Sequence, residues 1–170
     1  PRIERPADWT PDWSQKAFAL RRRELTHFAT THQEIDARSW PIAHQVDYRL
    51  IGSAIARVHW ELNVTCGHKR NPGFYVDQTL GLLFLSLLKP PPFTEARSRI
   101  IIQVLQSFSG TVQNAGENLA GDAIRPFALA AIEKLSDVRT WLTKVADELS
   151  PLLSGVSAAA LHESTDDAIA

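Results

Sequence analysis

The chain has 170 residues, and its 18 basic against 19 acidic side chains leave a formal net charge of -1. That balance supplies no broad field to attract nucleic acid or an anionic membrane, and the length matches about one domain able to bury a real core. Cys66 is the sole cysteine, so an intrachain disulfide framework is excluded and the compartment leans towards a reducing one.

The first residues carry Arg2, Glu4, Arg5 and Asp8 without an apolar segment, so no signal peptide is expected and the expected compartment is the cytoplasm. Leu80 to Leu88 is the most hydrophobic run, far short of the ~20 residues a membrane-spanning helix needs, and reads as a buried core helix. The absence of methionine, at position 1 included, fits either initiator removal or a piece of something longer. Arg21 to Arg23 is the only basic cluster, and three adjacent helical residues fan round the axis as a solvated face.

Residues 1–13 combine three prolines with Trp9 and Trp13 and no periodicity, which predicts an extended arm pinned by its aromatics. Ser14 caps a first helix to about Ala37, with Phe18, Leu25, Phe28 and Ile35 at helical spacing, before Trp40-Pro41. A second helix is expected from about Ala43 to Cys66, with an apolar stripe of Val46, Leu50, Ile51, Ile55, Val58 and Leu62 and a stop at Gly67. Asn71-Pro72-Gly73 then turns the chain into a short buried helix, which Pro90 to Pro92 ends because proline lacks the backbone donor. An antiparallel helical hairpin follows from this order.

Thr94 caps a further helix that buries Ile100, Ile101, Val104, Leu105 and Phe108, and Ser109-Gly110 is positioned to kink or divide it. After Gly121, Pro126 sits in the first turn of a long helix from about Phe127 to Leu149, with Ala130, Leu135, Val138, Leu142 and Val145 inward. Past the break at Pro151 to Gly155, Ser157 or Ala158 opens an alanine-rich helix that has no stop signal at Ala170, so the chain is expected to end in mid-element. Strand alternation and fixed-period repeats are not evident, so the predicted fold is all-α, an irregular multi-helix bundle of about six or seven helices with antiparallel hairpins. Residues 14–170 form its single helical domain.

The segments VDYRLIGSA (Val46 to Ala54), HWEL (His59 to Leu62), NPGFYVDQ and PPPF, followed by QNAGENL and PFALAAIEKL, resemble in order and spacing the N-terminal part of the bacterial family called domain of unknown function 885. Members of that family look like long helical zinc metallopeptidases of the gluzincin type, with an HExxH motif and a downstream glutamate beyond the region covered. The resemblance implies that this chain is the N-terminal fragment of a longer protein, structural and non-catalytic, packing and walling a cleft. Zinc would be held by the C-terminal remainder, which is also the implied partner. The competing expectation is a self-contained helical module that oligomerises.

No HExxH is present. His162-Glu163-Ser164-Thr165-Asp166 comes nearest, but Asp166 stands where the second imidazole would clamp zinc, and the segment reads as the surface of a helix. His59, Cys66 and His68 offer zinc-type donors at poor spacing, and read as a packed thiol with two hydrogen-bonded histidines. His27 and His32, five residues apart, do not make a chelate pair, and the carboxylate pairs Glu61 with Asp77 and Glu133 with Asp137 have ordinary helical spacing. Tyr75 and Asp77 are the candidate ligand-binding residues, a hydroxyl and a carboxylate beside the Pro-Gly turn; otherwise Asp77 caps amides and Tyr75 packs with its hydroxyl satisfied. No catalytic residue and no metal or cofactor ligand is assigned, and neither nucleic acid nor membrane is expected as a partner.

Overall fold

A computed structural model describes residues 11–170. Most of the expected arm, Trp9 included, lies outside them; Trp13 lies inside and packs edge-on against Phe74, with ring centroids 5.2 Å apart. The fold is all-α, with no strand among the described residues. Its helices are α1 (Gln15–Glu34), α2 (Ile42–His59), α3 (Gly67–Arg70), α4 (Gly73–Val76), α5 (Leu82–Leu87), α6 (Glu95–Leu119), α7 (Arg125–Leu135), α8 (Val138–Leu149) and α9 (Gly155–Ile169). Two wider, π-type stretches, Trp60–Thr65 and Asp77–Gly81, continue α2 and join α4 to α5. No helix among the described residues is long and apolar enough to cross a membrane.

Local chemistry sets several boundaries. The Ser14 hydroxyl accepts from the Ala17 amide at 3.1 Å, and Thr94 accepts from Arg97 at 3.3 Å, each satisfying a helix-start donor that has no intrahelical partner. Ser154 does the same for α9 through the Ser157 amide, so that helix begins at Gly155, ahead of the expected start. Arg97 closes the other end of the short helical stretch. Its guanidinium lies 4.0 Å from the Phe93 ring centroid and donates to the carbonyls of Ser86 and Leu87 at the end of α5, where intrahelical partners run out, and to those of Lys89 and Pro90 just beyond it.

The core is formed by Leu83 of α5, Ile101, Leu105 and Phe108 of α6, Leu142, Ala146 and Leu149 of α8, and Leu161 of α9. Each large aliphatic buried there is worth about 1.5–3 kcal/mol over its exposed state. α6 packs along α9, and both helices bury small polar residues, Ser98 and Thr111 on α6 and Ser157, Ser164 and Thr165 on α9. Thr165 meets its hydrogen-bonding need within its own helix, at the Leu161 carbonyl 2.8 Å away.

Four expectations are corrected. Gly110 does not divide α6, which runs unbroken through it, because one glycine costs about 1 kcal/mol and the packed apolar face outweighs that. The long helix expected over 127–149 is two, α7 and α8, separated at Ser136-Asp137, where the Ser136 hydroxyl bonds the Glu133 carbonyl at 2.9 Å. The stop before α3 is Cys66, in the left-handed region at φ 49°, rather than Gly67, which opens α3. The 71–93 stretch is buried on one face only: Leu83 is in the core, while Phe84, Leu85 and Leu88 are exposed.

Candidate functional site

The helical hairpin of α1 and α2 stands apart from that core. Its helices run antiparallel, since His32 meets Tyr48 while Arg22 reaches Leu62. The apolar stripe of α2 is not covered: none of the 18 residues of that helix is buried, and Leu50 and Ile51 are 62% and 56% exposed. On α1, Phe18 and Leu25 are buried but Phe28, at the same helical spacing, is 61% exposed. Together the helices line an apolar groove of about 1130 Å³ with Leu25, Phe28, Ile35, Ile51, Ile55 and Val58 on its walls.

One end of the groove is closed by an aromatic and cationic cluster. His68 of α3 stacks on Phe18 with centroids 3.9 Å apart. Arg22 Nη2 donates to His68 Nε2 at 3.1 Å and to the Leu62 carbonyl at 3.3 Å. A guanidinium has no acceptor, so Nε2 must be the bare nitrogen and His68 is neutral with its proton on Nδ1. Burial, helped by the neighbouring charges of Arg22, Lys69 and Arg21, pushes its pKa down to about 4. Arg21 covers the Trp13 and Phe18 rings at 4.8 and 5.2 Å, and burial pushes its pKa down as well. At the other end, His32 and Tyr48 stack at 4.0 Å.

Tyr75 and Asp77 are not brought together as a site. Tyr75 is 4% exposed and donates its hydroxyl to the His68 carbonyl at 2.7 Å, which supports the floor beneath the groove, and burial pushes its phenol up. Asp77 does not cap a helix start; it lies in the π-type stretch, exposed, 3.7 Å from Lys134 Nζ. Among the described residues no three His, Cys, Asp or Glu side chains gather where they could hold a metal ion. Cys66 Sγ bonds the Leu62 carbonyl at 3.4 Å, His59 is exposed, and His68 is committed to Arg22. His162, Glu163 and Asp166 are exposed on α9, and Glu61 pairs with Arg57 at 3.8 Å rather than with Asp77.

The groove was missed in the sequence because its apolar residues have the same spacing as core residues. His32, Trp13 and Arg21 carried no motif and Tyr48 figured only within the VDYRLIGSA segment, and their roles depend on contacts between helices. No protein-family model, curated protein or solved structure matches the chain.

Proposed function

We propose that this chain is the structural, non-catalytic helical portion of a larger zinc-dependent hydrolase or peptidase-like protein, in which the α1–α2 hairpin walls a cleft and further polypeptide supplies the metal chemistry. The observation that carries the reading is the open apolar face of that hairpin, an arrangement unfavourable on a surface facing only water. Segments that suggested the resemblance lie along this wall: Val46 to Ala54 on α2, His59 to Leu62 at its end, and Phe74 and Gln78 at the groove's base.

The test is the parent reading frame expressed at full length beside residues 1–170. Stoichiometric zinc by elemental analysis in the longer protein, with none in the shorter, is the expected result. A stop codon directly after Ala170, or stoichiometric zinc in this polypeptide alone, overturns it.

The second reading is a self-contained module that oligomerises, which would cover the same exposed apolar residues. Light scattering over a range of concentrations separates the two, since a clean monomer counts against self-association and a defined oligomer supports it.

A further inference from the structure

The groove has a length, a width and a charge, and together they describe an occupant. From Phe18 to Ile35 along α1 it extends about 25 Å at 1.5 Å per helical residue. Its walls include side chains still more than half exposed on both helices, Phe28 on α1 and Ile51 on α2. A single acyl chain would cover one row of them, whereas an α-helix about 10 Å across covers both.

Charge narrows the choice. Among the described residues that line the groove, Arg21 is the only lysine or arginine, and it is folded over the Trp13 and Phe18 rings. Glu24, Asp47 and Glu61 are exposed along the lining, Glu61 with Arg57 at 3.8 Å. A second copy docked face to face would set this acidic rim against itself, and like charges across an interface oppose association.

We propose that the α1–α2 groove docks an amphipathic helix whose apolar stripe is flanked by lysine or arginine. The inference rests on the reading of the hairpin as a cleft wall. A peptide offered in trans keeps its failure distinct from failure of the hydrolase assignment, which zinc content and the downstream sequence decide.

The probe is a fluorescein-labelled peptide of ~18 residues, long enough to follow the groove, with leucines at helical spacing and lysines on both flanks. A version with glutamate flanks and one of scrambled order accompany it, each titrated against residues 1–170 by fluorescence anisotropy. The lysine-flanked peptide is expected to bind saturably, about tenfold or more tighter than its glutamate counterpart, with no saturable binding of the scrambled one. Ile51→Asp, at an exposed position, should weaken it at least about tenfold with the helical circular dichroism unchanged. Glu24→Lys with Asp47→Lys should invert the charge preference. Equal binding of both charge types, indifference to Ile51→Asp, no saturable binding, or dimerisation of the chain abolished by Ile51→Asp would each overturn the proposal.

Discussion

His32 and Tyr48 are bonded to each other twice across the hairpin. His32 Nε2 donates to the Tyr48 carbonyl at 2.9 Å, the Tyr48 hydroxyl donates to the His32 carbonyl at 3.1 Å, and their rings lie 9° from parallel. Because a carbonyl only accepts, the first bond assigns the His32 proton to Nε2. The pair clamps the end of the groove that lies farthest from the His68 cluster. Tyr48→Phe keeps the stacked ring and removes one bond, so chemical denaturation should show a loss of about 0.5–1.5 kcal/mol. An unchanged midpoint would mean the clamp contributes nothing.

Two glycines should respond in opposite ways to alanine. A Cβ at Gly52 would fall 2.9 Å from His32 Cε1, and that ring cannot yield without leaving Tyr48; a Cβ at Gly110 meets nothing within 4 Å. Gly110→Ala should therefore stabilise by about 0.5–1 kcal/mol through helix propensity, while Gly52→Ala loses that gain and lowers stability. Thermal denaturation of both variants checks the order, and equal gains would contradict the tight approach at Gly52.

Tyr75 and Asp77, two positions apart in the sequence, should separate in energy. Tyr75→Phe leaves the His68 carbonyl without its buried donor and should cost about 1–3 kcal/mol. Asp77→Ala removes an exposed ion pair and should change stability by less than about 1 kcal/mol. Urea titrations of the two variants measure the contrast, and a large loss at Asp77 would point to a role beyond its pairing with Lys134.

His68 makes stability depend on pH below neutrality. Its folded pKa of about 4 lies under the ordinary 6.5, so the unfolded chain takes up the proton first. Its contribution is constant above 6.5 and is lost as pH falls from 6.5 towards 4; the full displacement corresponds to about 3–4 kcal/mol, which solvent screening reduces to on the order of 2–3 kcal/mol. His68→Gln keeps an acceptor for Arg22 and removes the titration, so its stability profile should be flatter over that interval by about this amount. Parallel profiles for the two proteins would show that His68 is not held neutral.

Features set by near neighbours were legible in the sequence. Ser14 and Thr94 cap their helices because the bond joins a residue to an amide three positions on, and Pro126 sits in a first turn because its missing donor is unneeded there. The Ser136-Asp137 break and the unbroken passage of α6 through Gly110 were not legible, because each is a contest between weak local preference and packing against distant helices. The stripe from Val46 to Leu62 shows the limit most plainly: helical spacing reports which residues share a face, not whether another element covers it.

By itself, then, the sequence determined an all-α chain, several of its helix caps and the turn that precedes the 71–93 stretch, all consequences of backbone donors, proline geometry and apolar period. Only the tertiary structure decided that much of the α2 apolar stripe lines an open groove, that Tyr75 is buried while Asp77 faces outward, and that burial, with Arg22 beside it, keeps His68 neutral. Those outcomes depend on residues far apart in the chain meeting in space, with contacts such as Arg22 to His68 and Phe18 to His68 that no local spacing encodes.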